Sequence, residues 1–146
     1  MSVVASAKAR LVGASGVLAP LLPNVQVVYS APGDIKRDLV YGGGVTGPVE
    51  LAAMAGGARV KRQEDLILQL HIRTWRPGQK TTETAEARAA EIADVIALYI
   101  AANWTLGDVA DLKKAFVSNL DLDGWSDDDG SGAVLTMTVG LMSYLT

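Results

Sequence analysis

An alternation of apolar and mostly polar positions marks one stretch of the chain, from Glu64 to Trp75. A period of two is the pattern of a strand with one buried face. Its positions are Leu66, Leu68, Leu70 and Ile72 on one face, and Ile67, Gln69, His71 and Arg73 on the other. We expect the strand to end at Arg76-Pro77-Gly78, because proline lacks the N–H that a ladder needs and glycine frees the turn.

A helical pattern follows the alternation, from Thr81 to Asn103. The segment is rich in good helix formers, and threonine is available near its start as an N-cap. Apolar residues recur at helical spacing, as Ala85, Ala89, Ile92, Ile96 and Tyr99. From Ala93 to Ala102 every residue except Asp94 is apolar. A helix that is apolar nearly all round is usually covered on both sides, so we expect a sheet on one side and a neighbouring subunit on the other.

The remaining segments complete an α+β pattern. Val3 to Leu22 predicts a first helix, and Val49 to Met54 is compatible with either a strand or a short helix. The other predicted strands are Val25 to Tyr29, Asp38 to Gly42, Lys114 to Asp123 and Ala133 to Tyr144, with turns at Ala31 to Asp34 and Trp125 to Gly132. We therefore expect a single domain over residues 1–146, a mostly antiparallel sheet with the long helix and the N-terminal helix packed on one face.

Composition narrows the possible functions. The chain has 146 residues, of which 49% are hydrophobic and 20% charged, as in a globular domain. It contains no cysteine, which excludes disulfides, thiolate metal sites and cysteine catalysis. No apolar run approaches the length of a membrane span, so no membrane partner is expected.

The charges are segregated along the sequence although the net charge is only −3. Six basic residues against two acidic ones lie between Arg59 and Lys80, and seven aspartates lie between Asp108 and Asp129. A nucleic-acid-binding domain is more often basic overall. Opposite charges on one chain suit head-to-tail contacts between identical subunits, which close into rings when the rotation allows.

No candidate catalytic or cofactor site survives inspection of the motifs. Gly42 to Gly47 matches G-x-G-x-x-G, but Pro48 follows in place of a helix, and a flexible flap is the better interpretation. Asp127-Asp128-Asp129-Gly130 lacks the spacing of a calcium loop, which favours a solvated acidic hairpin over weak divalent binding between subunits. His71 is the only histidine and has no partner nearby in sequence. We expect no enzyme activity and no cofactor.

Several short signatures, in their order along the chain, carry a family resemblance. They are Tyr29 with Pro32-Gly33, Leu39 to Gly42, Arg62 to Asp65 before Leu66 to Ile72, Ala85 to Ala89, Leu106-Gly107 and the two final strands. Together they resemble the tail terminator, or tail completion, proteins of long-tailed phages, especially phages of actinobacteria. The resemblance covers nearly the whole chain.

The resemblance implies a non-enzymatic assembly protein in the tail–neck region of the virion, assembled in the host cytoplasm. Such proteins form a homo-hexameric ring that caps the tail tube, ends its polymerisation and forms the joint to the head connector. The implied partners are the chain itself, the tail tube protein and the head–tail connector or head-completion protein, while DNA passes through the lumen without specific binding. A head-completion or connector protein of the same neck remains an alternative, followed by a small-ligand-binding module and then an enzyme.

Under this hypothesis two groups of residues are candidate contacts. The candidate subunit-interface residues are Val40, Tyr41, Val45, Val49, Leu51, Met54, Ala97 and Ala101. The candidate charged contacts with the ring or the tube are Arg59, Lys61, Arg62, Arg73, Arg76, Asp121, Asp123, Asp127, Asp128 and Asp129.

Overall fold

A long central strand of a mostly antiparallel sheet organises the fold. A computed structural model describes residues 2–32, 38–46, 49–54 and 60–145. Its helices are α1 (Ser2–Val12), α2 (Leu18–Leu21) and α3 (Glu83–Ala102). Its strands are β1 (Gln26–Val28), β2 (Asp38–Thr46), β3 (Val49–Met54), β4 (Val60–Pro77), β5 (Leu112–Ser126) and β6 (Gly130–Leu145).

The strands form one sheet in the order β1-β2-β4-β6-β5, with β3 paired to β4. All neighbours are antiparallel except β1 and β2, which run parallel. The prediction of an α+β fold with a mostly antiparallel sheet is therefore confirmed. β4 is the predicted alternating strand, and it ends at Pro77 as expected, but it begins earlier than the alternation and runs for 18 residues.

The alternation of β4 decides where the core lies. Its four aliphatic side chains on one face, Leu66 to Ile72, are buried in one cluster with residues of α1 and α3. The Thr74 hydroxyl continues this face and donates a hydrogen bond of 2.7 Å to the Ala85 carbonyl of α3. The predicted helical stripe of α3 is also buried, with Ile100 added and Tyr99 only half-buried. Local periodicity thus identified the two elements that meet in the core.

The predicted first helix from Val3 to Leu22 is wrong as a single helix. α1 ends at Val12, the chain turns through Gly13 to Gly16, and α2 is only four residues long. The Val17 N–H turns back to donate to the Arg10 carbonyl at 2.8 Å. The glycines, which are poor helix formers, end α1 before the prolines are reached.

The glycine-rich flap predicted after Gly42 is also wrong over the described part, because β2 continues through it to Thr46. The strand pairs with β4 across a register shift between Gly42 and Val45. Glycine suits this close packing, since a Cβ at Gly42 would come within 2.8 Å of the Tyr29 carbonyl oxygen. The undecided segment from Val49 to Met54 is a strand, and Gly47-Pro48 lies outside the described residues. Of the predicted turn from Ala31 to Asp34, the last two residues also lie outside them.

A candidate subunit-contact surface at the sheet edge

β5 forms one edge of the sheet, and its exposed side carries large apolar residues. Among the described strands it pairs only with β6. The Trp104 carbonyl, just after α3, accepts the Ala115 N–H at 2.7 Å near the start of the strand. Phe116, Leu120 and Leu122 beyond that point are exposed, Leu120 to 50%. A long edge strand with apolar side chains is a ready template for another chain.

The adjoining side of α3 carries three alanines, with the exposed Asp94 among them. Ala90, Ala97 and Ala101 recur at spacings of seven and four, which places them on one face of the helix. Ala97 and Ala101 line a groove of about 310 Å³ together with Val117 and other residues of β5. The short alanine side chains therefore leave a groove beside β5 that the side chains of a partner can fill.

Large apolar side chains lie near this groove. Leu98 on α3 is 71% exposed and Trp104 just after the helix is 63% exposed. We call the resulting area the edge surface, defined as Ala97, Leu98, Ala101, Trp104, Phe116, Leu120 and Leu122. It contains five of the eight exposed large hydrophobic residues in the described part of the chain. Single exposed apolar residues are ordinary, whereas a contiguous patch marks a contact site.

The apolar area continues around the strand onto the other face of the sheet. Phe116 packs over Gly140 of β6 on that face, and a groove of about 490 Å³ lies beside it. Ile67 and Met142 line this groove with Phe116, and Ile67 is exposed. A partner on the β5 edge can therefore contact apolar side chains on both faces of the sheet.

The charges along β5 are graded from one end to the other. Lys113 and Lys114 lie near its start, and the Lys114 ammonium is 5.7 Å from the centre of the Phe116 ring. Asp121 and Asp123 are exposed farther along, and Asp128 and Asp129 are exposed in the turn that follows. The edge surface is therefore flanked by negative charge at the hairpin end.

The acidic hairpin has a structural member. The Asp127 carboxylate accepts hydrogen bonds from the N–H groups of Asp129, at 2.8 Å, and Gly130, at 3.1 Å. This is the Asx-type turn expected of aspartate at such a position. Within the described ranges, no group of three carboxylate or imidazole ligands is placed to hold a metal ion.

The candidate interface residues separate into three groups. Ala97 and Ala101 belong to the edge surface, and Tyr41 is half-buried with its ring centre 5.0 Å from that of His71. Val40 is 0% exposed and packs in the core, because the alternation of β2 turns it inward, so it cannot contact a neighbour. The side chains of the rest, Val45, Val49, Leu51 and Met54, lie outside what the structure describes, although their backbone forms β2 and β3.

The candidate basic residues are also dispersed. The Arg76 guanidinium is paired with Asp38 at 2.7 Å and its side chain is only 15% exposed, which leaves little of it for a ring or tube contact. The Arg73 guanidinium lies 5.6 Å from the centre of the Trp125 ring on the open face of the sheet. Lys61 and Arg62 are in β4, but their side chains lie outside the described part, as does Arg59 altogether.

Asp38 has a structural role that the sequence alone did not indicate. Besides Arg76 it accepts a hydrogen bond of 3.2 Å from Nε of Arg88 on α3, which also pairs with Glu91 at 3.0 Å. Burial acts to lower the pKa of Arg88, but the hydrogen bonds to Glu91 and Asp38 outweigh it and raise that pKa above its usual value. Asp38 thus ties β2, β4 and α3 together.

The open face of the sheet carries aromatic contacts. Trp75 and Trp125 stack with their ring centres 6.4 Å apart, on strands that flank Gly132 of β6. The stacked rings join the ends of β4 and β5 across the open face. His71 is half-buried nearby, with Nδ1 3.4 Å from the Thr136 hydroxyl, and desolvation lowers its pKa from 6.5. Packing of its ring against an aromatic neighbour and a hydroxyl favours a structural role.

Comparison with known proteins adds no family. No protein-family model matches the sequence, and no curated protein matches it. None of the helices among the described residues is both long and apolar enough to cross a membrane.

Proposed function

We propose that this protein is a structural phage assembly protein that caps the tail tube as a homo-hexameric ring. In this role it ends polymerisation of the tube protein and forms the joint to the head connector. The ring lies in the tail–neck region of the virion, and DNA passes through its lumen without specific binding. The sequence resemblance suggests this function, and the edge surface supports it.

The edge surface is the observation that carries the proposal. A domain of this size has no need to leave Leu98, Trp104 and Leu120 largely exposed for its own stability. A ring subunit must present apolar area to a neighbour while remaining foldable alone. Exposed alanine and leucine side chains on the surface of a folded subunit meet both requirements. A neighbouring subunit that covers them buries more apolar area, and the core of the subunit stays unchanged.

The solution mass gives the first test. We expect light scattering to show a hexamer, or a monomer that becomes one with rising concentration or on added tail tubes, with and without magnesium. Tubes polymerised from tube protein in the presence of the chain should then be shorter and carry a ring at one end in electron micrographs. A fixed monomer or dimer that leaves tube length unchanged would overturn the proposal. Binding to the head-side connector alone, with no effect on tubes, would assign the chain to the connector instead.

The acidic hairpin supplies a second test. We expect Asp128→Asn combined with Asp129→Asn to change tube or connector binding, because both carboxylates are exposed. Asp127 is left unchanged in this variant, since it holds the turn by two backbone hydrogen bonds. Unchanged assembly and tube binding would remove these charges from the contact.

A further inference from the structure

We propose that the edge surface of one subunit takes the β3–β4 hairpin of the next identical subunit, with β3 added as a strand along β5. This inference rests on the proposed ring and names the two surfaces that meet in it. The contact is head-to-tail, because each subunit gives its hairpin at one edge of the sheet and receives another at the opposite edge.

β3 has one main partner in the described fold. Among the described elements, the only substantial contact of β3 is with β4. β6 ends at Leu145 opposite Arg62, so the start of β4 and the end of β3 extend beyond the rest of the sheet. Five of the six residues of β3 are apolar, with Glu50 the exception. A two-stranded ribbon of this kind is marginally stable alone in water, and it gains from a third strand.

The two edges cannot meet within one chain. Residues 62–64 of β4 pair with β3 on one side and with β6 on the other. β3 is therefore on the β2 side of β4, whereas β5 lies beyond β6 at the opposite edge of the sheet. Only a second copy can bring β3 to β5. A heterologous contact of this kind closes into a ring when its rotation is a whole fraction of a turn.

The sequence places opposite charges on the two segments that this contact brings together. The β3–β4 hairpin includes Lys61-Arg62 at the start of β4, and β5 exposes Asp121 and Asp123 beside its leucines. Opposite charges across an added strand help to select the partner and its orientation, and backbone hydrogen bonds supply the pairing. The groove beside Ala97 and Ala101 of α3 leaves room for side chains of the added strand.

Cross-linking tests the contact directly, because the chain contains no cysteine. Ala53→Cys places a thiol on β3, and Asn119→Cys places one at an exposed position on β5. With a short bismaleimide linker, the double variant should give a ladder of covalent oligomers up to the ring size. An equal mixture of the two single variants should stop at a dimer, because each cross-link uses one thiol of each kind. As the control, Ser30→Cys combined with Ala53→Cys should give no ladder, since Ser30 is exposed beyond β1.

The outcomes separate this inference from the proposed function. A hexamer by light scattering without hairpin-to-β5 cross-links means that other surfaces form the ring, so the inference fails and the cap proposal stands. Self-linking of the Asn119→Cys variant means a two-fold contact of β5 with itself and overturns the head-to-tail arrangement. A monomer under all conditions, with tail tubes present, defeats both.

A substitution on the receiving edge gives an independent readout. Leu122→Lys should raise the concentration needed for half-assembly by on the order of tenfold or more, because it puts a charge into an apolar contact. Its thermal midpoint as a monomer should stay close to that of the wild type, since Leu122 is exposed. Leu21→Lys is the matched control, because Leu21 is exposed on α2, away from the edge surface. Equal assembly of the two variants would contradict the contact.

Discussion

Replacing Asp38 with asparagine should destabilise the protein far more than neutralising an exposed charge does. The Asp38 carboxylate accepts from Arg76 at 2.7 Å and from Arg88 at 3.2 Å, and its side chain is only 10% exposed. The three residues lie on β2, β4 and α3, so the exchange loosens three elements at once. Asparagine has nearly the same shape as aspartate, which isolates the loss of charge from any loss of packing.

The expected magnitude follows from burial. Removing one partner of a fully buried ion pair costs about 3–5 kcal/mol, because a buried charge is left uncompensated. The Arg76 and Arg88 side chains are 15% and 29% exposed, so water recovers part of that cost. Asparagine also keeps one oxygen that can accept from Arg76. We therefore expect a loss of about 2 kcal/mol in the free energy of unfolding.

Urea and thermal unfolding measure this loss. For a domain of this size, about 2 kcal/mol corresponds to a thermal midpoint about 4–8 °C lower. Glu91→Gln is the control, because the Glu91 side chain is 69% exposed and its ion pair with Arg88 is therefore open to solvent. It should change the free energy of unfolding by less than about 0.5 kcal/mol. Similar small losses for both variants would refute the account of Asp38 as the tie between the three elements.

Two further predictions concern the open face of the sheet. His71→Gln should flatten the pH dependence of stability: the folded pKa is lowered from 6.5, so the unfolded chain binds more protons as pH falls below that value and wild-type stability declines there. The free energy of unfolding is measured for both proteins from about pH 8 to about pH 5. If that reasoning is wrong, this free energy will change equally with pH in both proteins. Gly132→Ala should cost about 1–3 kcal/mol, because the new Cβ would lie 2.5 Å from the Trp125 ring. The circular dichroism of the stacked Trp75 and Trp125 should weaken with it, and an unchanged spectrum would contradict the close packing.

Local pattern alone was sufficient for the two elements that meet in the core. The alternation from Leu66 to Ile72 and the helical stripe from Ala85 to Ile96 are both properties of neighbouring residues, so the sequence shows which side of each element is apolar. Pro77 likewise ends β4 by a covalent property that needs no tertiary partner. The α+β class follows from these patterns together.

The glycine-rich segment shows where local reasoning fails. The glycines have little strand propensity of their own, yet β2 continues through them, because β4 pairs with the strand at Gly42 and again at Val45, on both sides of the register shift. The start of the chain fails in the opposite sense, since apolar spacing continued past Gly13 although the helix did not.

Long-range placement was decided only by the tertiary structure. Asp38 meets arginines that are 38 and 50 residues away, so no motif could join them. Leu120 and Leu122 of β5 are exposed although their strand is part of the sheet, because β5 is the last strand and has β6 as its one strand partner in the described part of the chain. Sequence determines the faces of an element by local periodicity, whereas exposure depends on which other elements the whole chain packs beside it.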